Sequence, residues 1–216
     1  MSLRSKYVKR LVSGLLLSAT LCVPALAIAA TSAQLLAQKL GAYQSLQADF
    51  VQYLLDASGS RLQETRGHMQ LLQPNRFYWQ TEDPFAQTIV SDGQQVWIYD
   101  PDLEQVTLQK LDTRSTATPA LLLSGDKQAI GEHFDVLLHE GDNGLQQFNL
   151  KPKDTDSLYA NIRLYFIDDE LTQMQVVDTL EQKTAMHFHN LQANPSIPIA
   201  RFTFEVPTDT DLIDMR

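Results

Sequence analysis

From residue 42 onward, the chain consists mainly of short segments in which apolar and polar residues alternate, separated by turn residues. This period-two alternation is typical of strands that bury one face. It predicts strands at 47–55, 62–72, 76–82, 86–91, 95–100 and 105–111, and again at 134–139, 145–151, 161–167, 171–177 and 184–191. A last strand is predicted at 201–206, followed by a loose acidic tail at 208–216.

Two stretches follow a helical pattern instead. Residues 32–40 come after a Thr31 cap and repeat leucines at helical spacing. In the middle of the chain, residues 120–123 form a short apolar helical run, and residues 127–133 are expected to add a further turn. One short helix at the front and one in the middle are therefore predicted.

About eleven short strands joined by tight turns predict a single large curved antiparallel sheet or a barrel. Asp92-Gly93, between two such strands, is a strong hairpin signal. A sheet of this size must bury one face, and two short helices are too small to fill a barrel of that circumference. The pattern therefore predicts an apolar concavity, which in proteins is usually a ligand site.

The first residues follow a different pattern, which is typical of a cleaved export signal. Arg4, Lys6, Lys9 and Arg10 precede an apolar stretch at 11–23, and small residues follow it. Residues 1–27 are therefore interpreted as a signal peptide, with cleavage as late as residue 30, and residues 31–216 as one domain. A short membrane anchor is the alternative, but the apolar stretch is shorter than the roughly 20 residues that span a bilayer.

Charge and cysteine content narrow the function further. The 216 residues include 17 basic and 26 acidic side chains, a net charge of −9, which becomes −13 when the four basic residues of the signal are lost. Such an acidic chain is not expected to bind nucleic acid. The one cysteine, Cys22, lies within the signal, so no disulfide is expected in the exported protein. Cys22 also lacks the preceding residues expected of a lipidated cysteine, so no lipid anchor is expected. The sequence thus predicts an exported, soluble, monomeric protein without stable membrane insertion.

Patterns that would indicate an enzyme are weak. His187 and His189 share one strand face and would need a third ligand to hold a metal, so a solvent-facing polar pair is the favoured interpretation. Asp100 and Asp102 are interpreted as turn residues rather than paired catalytic carboxylates. The sequence has neither a Gly-x-Ser-x-Gly elbow nor a Gly-rich phosphate loop. No catalytic residue, metal or cofactor is therefore predicted.

The apolar residues of the strands and the middle helix are more informative. They are either ordinary core residues or the lining of the concavity, and the excess of strands over helices favours the second interpretation. The predicted lining is Phe50, Met69, Leu71, Phe77, Trp79, Ile89, Trp97, Tyr99, Leu121, Leu122, Phe148 and Met174.

Several short motifs make the chain resemble the LolA family of periplasmic lipoprotein carriers along nearly all of its exported length. They are Pro74-Asn75-x-Phe77-x-Trp79, Ile89-Val90-Ser91-Asp92-Gly93, Trp97-x-Tyr99-Asp100-Pro101, Glu104-Gln105, Thr118-Pro119 and Phe202-Thr203-Phe204. Each is common on its own, and their order and spacing behind a signal peptide are specific.

The resemblance implies a half-open β-barrel whose helices form a lid over a hydrophobic cavity for acyl chains. It also implies that the cargo is lipidated lipoprotein, taken from an inner-membrane ABC transporter of the LolCDE type and delivered to an outer-membrane acceptor of the LolB type. Phe77 matches a family position implicated in this handover. Another periplasmic lipid-binding half-barrel, such as a glycolipid shuttle or a lipoprotein sensor, is the alternative.

One position departs from the family. Where the family commonly has an arginine that holds the lid shut, this chain has Gln73. Either Gln73 forms a neutral and weaker latch, or Arg76 or Arg66 reaches the lid from elsewhere. We expect a weaker latch at Gln73 and easier opening.

Overall fold

The computed structural model describes residues 30–82, 84–111 and 119–216; the predicted signal peptide and Thr118 lie outside them. The strands in these ranges are β1 (Ser45–Leu55), β2 (Arg61–Leu72), β3 (Arg76–Thr81), β4 (Gln87–Asp92), β5 (Gln95–Asp100), β6 (Gln105–Lys110), β7 (Phe134–Glu140), β8 (Leu145–Pro152), β9 (Tyr159–Ile167), β10 (Glu170–Asp178), β11 (Lys183–Ala193) and β12 (Asp211–Asp214). The helices are α1 (Ser32–Gly41), α2 (Pro119–Ser124) and α3 (Ile130–His133), with a 3-10 helix at Ile199–Phe202.

All of these strands belong to one sheet, in the order β12-β6-β5-β4-β3-β2-β1-β11-β10-β9-β8-β7. Neighbouring strands are antiparallel except β12, which runs parallel to β6. The sheet does not close, because β7 and β12 are its two edges. The prediction of a mainly β, unclosed antiparallel barrel is confirmed, and the boundaries of the first eleven strands agree with those predicted to within two residues.

Helix α1 forms where the sequence supplies both a cap and an apolar face. The Thr31 hydroxyl accepts a hydrogen bond from the Gln34 backbone N–H at 3.2 Å, and the Gln34 side chain accepts one from the Thr31 N–H at 2.8 Å. This reciprocal capping box satisfies two backbone donors that the first turn leaves unpaired. Leu36 and Leu40, four residues apart, are fully buried against the sheet.

The three helices cover one face of the sheet, which we call the inner face. Apolar side chains of this face form a continuous buried cluster with residues of all three helices, including Leu40, Leu123 and Ile130. Phe50 illustrates the packing, because its ring lies 4.7 Å from that of Trp79 and directly over Gly67. An added Cβ at Gly67 would lie 2.3 Å from the Phe50 ring, so only glycine fits beneath it.

The C-terminal segment corrects two predictions. The expected strand at 201–206 is instead a 3-10 helix followed by non-regular chain, and the tail expected to be loose contains β12. Phe202 and Phe204 gave this segment a strand-like alternation of apolar and polar residues. Both instead pack on the outer face of the sheet, where Phe202 is buried and Phe204 lies against Tyr99. The side chains of β12 are all exposed, so no burial pattern marks it in the sequence.

Across the described part of the chain, no helix has both the length and the apolar character needed to cross a bilayer.

Candidate functional site

Most of the predicted cavity residues meet on the inner face. Phe50, Met69, Leu71, Phe77, Trp79, Leu122, Phe148 and Met174 are buried in the cluster shared with the helices, and Ile89 and Leu121 pack against it partly exposed. Residues predicted from both halves of the sheet and from α2 therefore lie together on this face. In this structure they act mainly as a packed core.

Trp97 and Tyr99 are an exception, because they lie on the outer face. Their neighbours Val96 and Ile98 point to the inner cluster, and successive residues of a strand point to opposite faces. Trp97 is paired with Val90 on β4, and Tyr99 lies with its ring centre 5.9 Å from that of Phe204. The prediction that both residues line the cavity is wrong; both face away from it, and Tyr99 packs against the C-terminal segment.

A cavity of about 250 Å³, open to solvent, remains between α2 and the inner face. It is lined by Gln52, Trp79, Thr81, Gln87, Ile89, Ala120, Tyr159, Val176, Thr184 and Met186. Trp79 and Ile89 belong to the predicted lining. The sequence pattern could also have predicted Val176 as a lining residue, because Val176 lies on the same face of β10 as Met174. Ala120 and Thr184 carry no apolar signal strong enough to single them out.

The size of this cavity limits what the structure can bind as it stands. Pockets that hold a drug-sized ligand usually measure roughly 300–1,000 Å³, and several acyl chains need more. The remaining inner face is filled by helix side chains such as Leu36, Leu40 and Leu123. A larger apolar ligand could enter this face only if the helices moved away from the sheet.

The C-terminal end of α1 is fixed to the turn between β9 and β10. Lys39 forms an ion pair with Asp169, and its ammonium lies 5.4 Å from the centre of the Phe166 ring. The Tyr43 hydroxyl donates to the Asp169 carbonyl and accepts from the Leu171 N–H, both at 3.2 Å. Burial raises the pKa of Tyr43, so its hydroxyl keeps its proton for this bond.

The turn between β2 and β3 holds the helices from the other side. The Gln73 side-chain amide donates to the carbonyl oxygens of Tyr43 at 2.6 Å and Leu40 at 3.3 Å, at the C-terminal end of α1. Two residues later, the Asn75 N–H donates to the carbonyl oxygen of Ser124 at 2.8 Å, at the end of α2. Two residues of this turn, Gln73 and Asn75, therefore bond to the ends of two helices.

The alternative latch residues point elsewhere. Arg66 is 69% exposed and lies 3.5 Å from Glu64 on its own strand. Arg76 begins β3 and is paired in register with Asp92 on β4. Of the candidate latch residues, Gln73 is the one whose side chain bonds to α1, and it bonds as a neutral group.

Substituting Gln73→Arg tests whether this turn controls opening. A guanidinium at the end of α1 would form charge-assisted bonds to the same carbonyls and would be favoured by the helix dipole. In the closed form the helices pack on the sheet, and stabilising it lowers the fraction of molecules that are open and able to bind lipid. We therefore expect lipid affinity to fall by about tenfold and lipid to be released faster. Titration with a fluorescent acylated peptide measures both. Gln192→Arg, with the same charge change at an exposed position, is the control; unchanged affinity and release in Gln73→Arg would refute the latch.

The link between α2 and α3 contains a buried cation. Lys127 is only 7% exposed, and its ammonium donates to the carbonyl oxygen of Leu122 at 3.2 Å. Burial lowers the pKa of Lys127 from 10.5 to about 7, against the opposing effect of the neighbouring Asp126. Lys127 therefore loses its proton near neutral pH, well below the pH at which an exposed lysine does so.

The histidines do not gather into a metal centre. Among the described residues, no group of three or more His, Cys, Asp or Glu side chains has the geometry to hold a metal ion. Burial lowers the pKa of His187, whose ring packs edge-on against Tyr53 at 5.6 Å. His68, on β2, lies 2.9 Å from the Asp49 carboxylate.

Comparison with known proteins gives a consistent picture. Residues 42–205 match the family model described as outer membrane lipoprotein carrier protein LolA. An outer-membrane lipoprotein carrier protein of Chromohalobacter salexigens is 45% identical over 200 residues, covering 92% of this chain and 95% of the relative. One of Azotobacter vinelandii is 48% identical over 182 residues, covering 84% and 87%.

A solved structure supports the fold alone. An uncharacterised conserved protein of Thermus thermophilus superposes with a TM-score of 0.54 at 13% identity, covering 85% of this chain and 99% of that one.

Proposed function

Because the chain belongs to the LolA family of outer-membrane lipoprotein carriers, we propose that it is a periplasmic chaperone that binds the acyl chains of lipoproteins and carries them to the outer membrane. The observation that carries this proposal is the inner face of the unclosed sheet, which is apolar in both halves and is covered by three short helices rather than by a second sheet. Helices held at their ends can be displaced, whereas a closed barrel core cannot.

The physical need for such a carrier follows from the cargo. Burying one methylene group is worth about 0.8 kcal/mol, so the exposed acyl chains of a lipoprotein carry a penalty on the order of tens of kcal/mol in water. When the helices open, the chains replace helix side chains such as Leu36 and Leu40 on the inner face. Because those helix contacts are lost on loading, the net affinity stays moderate and the cargo can be released.

The partners belong to this proposal as well. Cargo would be received from an inner-membrane ABC transporter of the LolCDE type, which supplies the energy, and passed to an outer-membrane acceptor of the LolB type. Phe77 is fully buried beside Leu71 and Ser91, so it can contribute to handover only after the helices open. The function requires no bond to be made or broken, and we assign no catalytic residue.

The proposal is tested with the purified exported form and a synthetic cysteine peptide bearing three palmitoyl chains. We expect a soluble one-to-one complex in size-exclusion chromatography, and no complex with the same peptide lacking acyl chains. A glycolipid of equal chain length serves as the second ligand. Preference for the glycolipid, or no complex with the acylated peptide, would contradict the proposal.

A further inference from the structure

A second pocket adjoins the apolar cavity and is lined mainly by polar groups. It measures about 240 Å³ and is lined by inner-face residues of β1 to β5 together with Phe85, Ala86 and Asp102. Its polar lining includes Gln52, Gln63, Thr65, Gln87, Asp100 and Asp102. Gln52, Thr81 and Gln87 line both pockets, so the two spaces share one wall.

The inner face becomes polar along the strands in one direction. On β2, the inner positions run from Leu71 and Met69 through Gly67 to Thr65. On β4, the inner positions likewise change from the apolar Ile89 to the polar Gln87. This gradient suits an amphipathic ligand whose apolar end lies deep and whose polar end lies at the rim.

Thr65 gives independent evidence for a ligand. It is only 3% exposed, and its hydroxyl has no hydrogen-bond partner in the part of the chain that the structure describes. Leaving a buried hydroxyl unpaired is unfavourable, and buried polar groups are nearly always satisfied. Because Thr65 lines the polar pocket, a bound molecule with an acceptor there would complete its bonding.

We propose that this polar pocket binds the linker of a lipidated N-terminal cysteine: its glyceryl esters, its acyl amide and the first peptide bonds. This rests on the proposed function and adds a site for the polar end of the cargo. The Thr65 hydroxyl and the amides of Gln52 and Gln63 donate to ester and amide carbonyls. The Asp100 and Asp102 carboxylates accept from peptide N–H groups and repel a phosphate. The pocket therefore distinguishes an acylated peptide from a phospholipid with similar chains.

The Thr65→Val variant tests this assignment, because it keeps the shape of the side chain and removes the hydroxyl. The variant is expected to fold and to melt no lower than wild type. Its affinity for the tripalmitoyl cysteine peptide should fall about fivefold to tenfold, the value of one hydrogen bond. Its affinity for diphenylhexatriene, a hydrocarbon probe without polar groups, should not change. Gln63→Met alters the same pocket from the next inner position on β2. It should likewise weaken binding of the acylated peptide and leave the affinity for diphenylhexatriene unchanged.

Thr88→Val, on the outer face of β4, is the matched control and should leave both affinities unchanged. Equal affinity of Thr65→Val and wild type for the acylated peptide would overturn the assignment. So would an equal loss for peptide and hydrocarbon, which would mean that Thr65 only shapes the apolar cavity. A third arm uses dioctanoyl phosphatidylglycerol; binding that also depends on Thr65 would make the pocket a general headgroup site and overturn the assignment. Failure of wild type to bind the acylated peptide would instead refute the carrier function itself.

Discussion

A disulfide between Ala33→Cys and Gly131→Cys is expected to abolish binding of the acylated peptide, and a reductant is expected to restore it. Ala33 lies in the first turn of α1, and Gly131 lies in α3, which continues directly into β7. A Cβ at Gly131 would lie 3.4 Å from that of Ala33, close to the spacing that a disulfide requires. The C-terminal end of α1 is joined to β1 by a short turn, so the N-terminal half of α1 moves furthest when the helix leaves the sheet.

The cross-link ties that moving half to the edge of the sheet. Stabilising the closed form by a few kcal/mol would weaken binding by about a hundredfold or more. Isothermal titration of the oxidised and reduced protein with the acylated peptide measures the effect. Ala33→Cys alone is the control and should bind equally in both redox states. Equal affinity of the oxidised and reduced double variant would show that α1 does not open during loading.

Replacing the buried cation is expected to have the largest effect on stability. Because the pKa of Lys127 is about 7 in the folded protein and 10.5 without burial, the unfolded chain binds more protons between those pH values. The free energy of unfolding of wild type should therefore rise with pH through this window, by about 1.4 kcal/mol per pH unit at most. Below pH 7 the penalty is fully present and amounts to roughly 5 kcal/mol.

Lys127→Met removes that penalty. We expect the variant to be more stable than wild type by a few kcal/mol at pH 6, since the lost bond to the Leu122 carbonyl offsets only part of the gain. The difference should shrink as the pH rises towards 10. Urea unfolding at a series of pH values measures it, and Lys151→Met, at an exposed position, should show no such dependence. If the free energy of unfolding had the same pH dependence in Lys127→Met and wild type, the lowered pKa of Lys127 would be contradicted.

The sequence pattern predicted the sheet well because its inner face is the more consistently apolar one. Alternation alone placed Phe50, Met69 and Met174 on one face, and turn residues such as Gly93 set the hairpins. Alternation could not decide which face Trp97 occupies, because β5 is apolar on both faces. The outer face there is covered by the C-terminal segment, a long-range contact that a local pattern does not contain.

The candidate site was predictable in its apolar part and less so in its polar part. Gln73 was singled out because it replaces a family arginine, but its two carbonyl partners depend on how α1 ends beside the β2–β3 turn. Thr65 attracts no attention in the sequence, since a threonine in a strand is ordinary. Its unpaired hydroxyl becomes visible only when the inner face is assembled.

Release of lipoproteins from spheroplasts tests the central claim most directly. Spheroplasts that synthesise an outer-membrane-destined lipoprotein are incubated with the purified exported form, and the medium is examined for a soluble complex. We expect wild type, and the reduced Ala33→Cys/Gly131→Cys variant, to bring the lipoprotein into solution, whereas the oxidised variant leaves it in the inner membrane. Absence of a soluble complex with wild type would contradict the carrier function, and equal release by the oxidised variant would contradict loading through displacement of α1.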